Sequence, residues 1–432
     1  MAYEKVIIIG GGFAGINVAK KLKRAQVEIT LIDKRNHHLF QPLLYQVATA
    51  ALAPRDIAYP IREILKNQLN TTVIMNEVVS IDTAAKTVQL STGNDLKYDY
   101  LVIAPGSSHS YFGHDEWHTY APGLKTLSNA IDIREKTLLA FEKAEVCDSL
   151  HEAQKFLRFV IVGGGPTGVE LAGAIAEIAH KTMLKNFRHI DTNNTEIYLI
   201  EGNSHILKMY PEPLSLKARE YLVDLGVKVL TDTRVQEITS SGVQYGDQFL
   251  ETENIFWAAG VHASPLLKTI GAELDRAGRV IVEPDLSIKD HPNTFVVGDA
   301  ASLKGEDGTP LPGLAQVAMQ EGKYVADIIK RRLLPKKRKP FVYNDRGSMA
   351  TIGRARAVAW VKGRQIVGFK AWFLWSIIHV MYLVGFRNRL VVTSEWFFWY
   401  FFGQRGSRLI LGSFKRFKEK MDLLKGKKMK MD

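Results

Sequence analysis

Cysteine is almost missing: Cys147 is the one thiol among 432 residues. That excludes a disulfide framework, a cysteine-based zinc site and any dithiol redox pair. His37 and His38 have no second ligand pair in reach, so no metal site is expected. No secretory signal opens the chain. Apolar residues 6–9 run straight into three glycines, where a signal would carry a longer apolar stretch and a cleavage site. An unprocessed, cytoplasm-facing chain is expected. Acidic residues are scarce at one end only. Residues 330–432 hold 25 Lys and Arg against 5 Asp and Glu, whereas the first 329 hold 32 against 40. A basic quarter on an acidic body calls for an anionic partner, nucleic acid or membrane. What is present is otherwise ordinary: 46% hydrophobic and 24% charged residues rule out a disordered or collagen-like chain. The length implies two or three domains.

Residues 6–9 form an apolar strand that leads into Gly10-Gly11-Gly12-Phe13-Ala14-Gly15 and a helical stretch, residues 16–24. Gly10 permits the tight turn, Gly12 lets backbone N–H groups approach a pyrophosphate, and Gly15 lets helix pack on strand. A second strand, residues 27–33, ends at Asp33, 21 residues past Gly12. That is the distance expected of a carboxylate that accepts a ribose hydroxyl. Strand, helix and acid together favour a ligand over a bare structural turn.

The pattern recurs. Residues 159–162 lead into Gly163-Gly164-Gly165-Pro166-Thr167-Gly168 and a helix over residues 169–181, and a further strand ends at Glu201. Glu201 lies 36 residues past Gly165, longer than the usual twenty or so. The excess falls in a polar stretch around residues 189–195 and reads as an inserted loop. A carboxylate here suits a free 2′-hydroxyl and repels a 2′-phosphate, favouring NADH over NADPH; a solvated strand end is the alternative. Two fingerprints suggest two nested dinucleotide domains, one for a flavin and one for a nicotinamide. Residues 98–106, a strand ending in a Pro-Gly turn, and residues 255–261 form the crossovers. In residues 295–300, Asp299 is placed to hold a flavin ribityl hydroxyl or, equally, to cap a helix.

The order GGGFAG, APG, GGGPTG, WAAG, VVGDA resembles the flavoprotein reductases with two dinucleotide-binding domains. The resemblance narrows to type II NADH:quinone oxidoreductases through residues 35–52, 313–322, 347–358 and 379–389. It covers nearly the whole chain. It implies an α/β fold of two nested Rossmann-like domains (glutathione-reductase-like) plus a C-terminal amphipathic helical membrane-anchoring region. The expected divisions are an FAD domain at 1–112, an NADH domain at 113–265, the second part of the FAD domain at 266–340, and an anchoring or dimerisation region at 341–432.

The resemblance also implies roles. Non-covalent FAD would meet Gly10, Gly12, Phe13, Ala14, Gly15, Asp33, Lys34, Arg35, Gln46, Val78, Ala104, Gly106, Asp299, Gln316 and Val317. NADH would meet Gly163, Gly165, Thr167, Gly168, Glu201 and Gly260. Gln316 and Gln320, four apart on one helix face, would with Gln46 offer amides to a ubiquinone or menaquinone; plain helix-surface glutamines are the alternative. Glu170 is the nearest thing to a catalytic side chain, with Gln316 beside it, although stabilisation by a helix dipole explains an acid at that place equally well. Hydride transfer is cofactor chemistry, which asks the protein to stack rings, exclude water and manage protons. A single thiol excludes the persulfide route of sulfide:quinone oxidoreductases.

Residues 371–386 run sixteen positions without a formal charge, short of the twenty or so that cross a bilayer. Residues 369–402 hold 13 of the 42 aromatics, flanked by Arg and Lys, a composition suited to lipid headgroups. From Arg405 onward come ten basic residues against three acidic. Amphipathic helices lying in the interface are expected, on the cytoplasmic face of the cell membrane, with no proton pumping and with a homodimer compatible with the same region. Aromatics gathered in apolar runs argue against nucleic acid. The competing reading is a membrane-associated, NADH-binding flavoprotein with a regulatory role or a protein electron acceptor.

Overall fold

The computed structural model describes residues 3–306, 308–402 and 406–410. The basic tail expected beyond Arg405 lies almost wholly outside them.

Two parallel sheets carry the architecture. In the first, five parallel strands run in the order His291–Val296, Tyr100–Ile103, Glu4–Ile9, Val27–Asp33, Thr71–Met75, with Ser287–Ile288 added antiparallel at one edge. In the second, Val227–Leu230, Glu196–Ile200, Arg158–Val162 and Asn254–Trp257 are all parallel. Strands such as VIII and FVIV are buried at nearly every position, as parallel strands covered on both faces must be. The first sheet draws on chain segments either side of the second, so one unit is nested within the other. Two short antiparallel strands, Ser107–His109 and Val261–Ala263, form the ribbon where the chain passes between them.

Seven helices matter below. Helix α1 (Phe13–Lys21) follows the first glycine turn and α2 (Leu44–Ala48) lies beyond the second strand. After the second glycine turn comes α3 (Pro166–Glu177), which passes into a π-turn at Ile178–Thr182, and α4 is Glu212–Asp224. Helix α5 spans Ala315–Arg331, and α6 (Gly368–Tyr382) and α7 (Phe386–Phe402) are the last helices among the described residues. Both fingerprint helices begin earlier than the apolar pattern suggests, at Phe13 instead of residue 16 and at Pro166 instead of 169. The reason is local: Gly12 and Gly165 take extended N-cap conformations, and a first helical turn tolerates glycine or proline because its N–H groups are unpaired anyway. The surplus before Glu201 is indeed irregular, a short 3₁₀ turn at Thr192–Asn194 after the π-turn.

Helix α5 crosses α1 at close range. A Cβ on Gly322 would sit 2.6 Å from the Ala14 carbonyl oxygen, so this crossing admits only glycine. It brings the start of α5 to the first glycine turn. A three-stranded antiparallel sheet, Ser348–Thr351, Ala357–Val361 and Arg364–Val367, then leads into α6 and α7.

Helices α6 and α7 meet through Trp375 and Trp396, both buried, with ring centroids 5.1 Å apart. The outer face is apolar as well. Phe369, Phe373, Met381, Phe386, Leu390, Phe397, Phe398 and Phe401 are each more than half exposed. The contrast across α6 is therefore one of location: both faces are apolar, and among the described residues only the inner one has protein to cover it. Among the described residues, no helix is long and apolar enough to cross a membrane.

Candidate active site

The two glycine turns have the same build. Gly10 (φ +101°) and Gly163 (φ +109°) take backbone angles that L side chains avoid, and a Cβ on either would strike the neighbouring crossover, at 2.1 Å from the Ala104 oxygen and 2.5 Å from the Ala259 Cα. A Cβ on Gly15 or Gly168 would lie 1.9 Å from the carbonyl oxygen of Gly10 or Gly163. By contrast, the Cβ directions of Gly12 and Gly165 meet nothing within 4 Å. Open space at the N-terminus of a helix, bounded by free N–H groups, is what a pyrophosphate needs.

A carboxylate clasps each turn. Asp33 accepts the Gly11 N–H (2.6 Å) on one oxygen and the Arg35 N–H (2.7 Å) on the other. Glu201 accepts the Gly164 N–H and, on its second oxygen, the Asn203 N–H (2.8 Å). Glu201 is thus an organised acceptor instead of a solvated strand end. Each carboxylate keeps lone pairs for a ribose hydroxyl. Lys34 reaches out to Glu77 at 3.5 Å, and Val78 starts the next strand, just past the pairing of Asp33 with Met75. Ala104 is bonded through its N–H to Ile9, and Gly106 turns the chain with φ +75°. Thr167 lies in the first turn of α3. Gly260 lies under the ring of Phe112, whose edge would be 2.7 Å from a Cβ there.

Asp299 accepts from Ser107 Oγ (2.5 Å) and Lys125 Nζ (3.3 Å), which engages it with the crossover side instead of in a helix cap. Val317 is buried in the first turn of α5. Gln316 Nε2 donates to the Gly347 carbonyl (2.9 Å), while Gln320 bonds the backbone of Asn344 in both directions, at 3.0 Å each. Both glutamines therefore strap residues 344–347 onto α5.

Gln46 is buried and bridges two regions. Its Nε2 donates to Tyr45 Oη (3.0 Å) and its Oε1 accepts from Trp396 Nε1 on α7 (2.7 Å). Tyr45 Oη continues to Thr351 Oγ1 (2.8 Å), and the Thr351 N–H points to Glu170 at 3.4 Å. Glu170 keeps part of its surface open, yet protein atoms crowd its carboxyl. That desolvation pushes its pKa up to about 8, so the protonated form predominates at physiological pH.

Three residues escaped sequence reasoning. Glu321 on α5 is buried, accepts the Gly298 N–H, and burial raises its pKa to about 8. Its signal was a carboxylate inside the apolar stripe Val317, Ala318, Gly322, Val325. His38 is buried with Nδ1 3.0 Å from the Gly11 oxygen, and desolvation lowers its pKa. Lys125, the partner of Asp299, carried no signal.

The family model described as pyridine nucleotide-disulphide oxidoreductase matches residues 4–322, and the NDH2 C-terminal domain matches residues 346–405. The chain is 45% identical to the type II NADH:quinone oxidoreductase NdhA of Mycobacterium tuberculosis, over 91% of this chain and 86% of that one. It is 32% identical to the type II NADH:quinone oxidoreductase of Staphylococcus haemolyticus, covering 87% and 94%. NDH2 from Plasmodium falciparum, solved in complex with NADH, has the same fold at TM-score 0.85 and 22% identity, covering 93% of this chain and 99% of that one.

Proposed function

Because the chain belongs to the type II NADH:quinone oxidoreductases, we propose that it oxidises NADH through a non-covalently bound FAD and reduces a membrane quinone by two electrons, without pumping protons. The observation that carries the reading is the paired clasp: two open glycine turns, each held by a carboxylate, at the ends of two parallel sheets. Asp33 and the Gly12 turn would hold FAD; Glu201 and the Gly165 turn would hold NADH, with Thr167 and Gly260 beside it. Lys34, Arg35, Val78, Ala104, Gly106, Asp299 and Val317 line the FAD side of this reading.

When bound, FAD supplies reversible two-electron hydride acceptance. This chain's residues do the rest. Glu201 favours a free 2′-hydroxyl, hence NADH over NADPH. Glu170 holds a proton on its carboxyl below about pH 8, available where reduction of a quinone consumes one. Gln316 and Gln320 keep amide capacity beyond their bonds to Gly347 and Asn344 and would, with Gln46, orient quinone carbonyls. The exposed aromatic stripe of α6 and α7 would bed in the cytoplasmic face of the cell membrane, where a lipid-soluble acceptor is found. The same apolar region suits a homodimer, and its aromatics, gathered in apolar runs, argue against nucleic acid.

The test is anaerobic. The purified protein, in mild detergent, is expected to be yellow, to bleach rapidly with NADH, to recolour with quinone, and to turn over NADPH poorly. A flavin reduced by NADH but indifferent to every quinone would replace this reading with a regulatory or protein-acceptor role. A colourless protein would remove the cofactor argument.

A further inference from the structure

A cavity of about 660 Å³ opens on the far side of α3, walled by the π-turn, the end of α4, the 354–356 turn and Tyr400 of α7. Neither glycine turn nor the glutamines of α5 contribute to it. Its wall holds three cations, Lys181, Arg354 and Arg356, against one carboxylate, Asp224. Asp224 is engaged by Arg356 at 3.0 Å and Lys181 by Glu177 at 3.7 Å, which leaves the hollow with one positive charge in excess, that of Arg354.

The cations are held in place. Gly353 and Ala355 both take left-handed backbone angles (φ +71° and +63°), so the turn projects Arg354 and Arg356 from either side of a strained alanine. Buried Glu177 accepts the Arg354 N–H at 2.7 Å, and a Cβ on Gly353 would press on that carboxylate at 3.0 Å. The Arg354 guanidinium reaches the Trp399 carbonyl at 3.4 Å and lies 5.9 Å from the Tyr400 ring. Arg356 lies over Tyr221 at 5.2 Å. At the back, His180 is fixed between the Leu225 and Thr195 carbonyls, each at 3.1 Å.

We infer that this cavity binds the phosphate of an anionic lipid headgroup. The inference rests on the membrane reading above and gives it a defined contact. Arginine pairs present planar donors to phosphate oxygens, and the volume is that of an ordinary small-ligand pocket. The lipid source follows from Tyr400 and Trp399. They sit on α7 among the outward-facing Phe397, Phe398 and Phe401. A helix bedded by those phenylalanines holds its Trp and Tyr at headgroup level, and the cavity mouth with them.

The experiment uses the full-length flavoprotein in detergent, with native mass spectrometry after addition of phosphatidylglycerol or phosphatidylcholine. One phosphatidylglycerol should be retained preferentially. The triple variant Lys181→Gln/Arg354→Gln/Arg356→Gln should lose that preference, about fivefold per cation and roughly a hundredfold together. Lys336→Gln/Lys337→Gln/Lys339→Gln, on the exposed basic stretch, should keep it. Reduction of a water-soluble quinone in detergent should be unchanged in both, confirming folding. Equal loss in the two variants, or no preference for phosphatidylglycerol in the wild type, overturns the site. Displacement of the lipid by inorganic phosphate at comparable concentration overturns the lipid assignment in favour of a free anion. Vesicle flotation tests the membrane reading separately: Phe397→Ser/Phe401→Ser should abolish flotation at high salt yet retain the lipid adduct in detergent. A wild type that floats on no vesicle overturns that reading whatever the adduct shows.

Discussion

Asp33 and Glu201 make the same two bonds to two different turns, so their amides should separate the two cofactors. Asp33→Asn should release flavin on gel filtration. Glu201→Gln should keep the flavin, raise the KM for NADH about tenfold, the worth of one charge-assisted bond, and narrow the preference over NADPH. At Glu170 the expected readout is pH. With its pKa near 8, quinone reduction should fall as pH rises through 8, and Glu170→Gln should lower kcat about a hundredfold and flatten that limb. Stopped-flow bleaching by NADH, read alongside, should change little. Glu321 bears on stability. Its folded pKa of about 8 lies above the usual carboxylate value, so its contribution is fully present below about pH 4.5. As pH rises from there to 8, the unfolded chain ionises first and stability drops by about 1.4 kcal/mol per pH unit. Urea midpoints across that range should show the decline in the wild type and a shallower one in Glu321→Gln.

Elements show what could and could not be read in advance. The strand, glycine turn and helix at residues 4–21 were legible because each step is local: apolar run, turn, apolar face. The same holds at residues 158–177. The carboxylates were legible as acceptors, though not as clasps on the turns. Gln46 shows the opposite case. Its partner Trp396 lies 350 positions away, a distance no periodicity reports, and Gln316 and Gln320 each give part of their amide to a strap that only the folded chain brings near. The crossing of α1 and α5 gives a direct test. Gly322→Val must push the Ala14 backbone aside and should cost about 3 kcal/mol by denaturant unfolding, with weakened flavin retention. Trp396→Phe leaves the buried Gln46 oxygen unpaired, at about 1–3 kcal/mol, and should lower kcat/KM for quinone while NADH bleaching persists.

At the scale of the whole molecule, the charge asymmetry and the aromatic C-terminus are legible from composition alone. What composition did not tell was that α6 is apolar on both sides and that its inner side is a core, with Trp375 and Trp396 buried together. Association with vesicles should accordingly have two components. Raising salt to screen surface charge should erase the preference for anionic vesicles, measured by flotation, and leave a salt-resistant fraction carried by the phenylalanines.

The bond from Trp396 to Gln46 has a practical corollary. An anchor that hangs outside an enzyme can be cut away to make a water-soluble version. Here α7 supplies the roof of a buried polar chain that ends beside Glu170. Truncation before residue 386 would open that chain to water, so a soluble form of this protein should be sought by replacing the outward phenylalanines and keeping the helix that bears them.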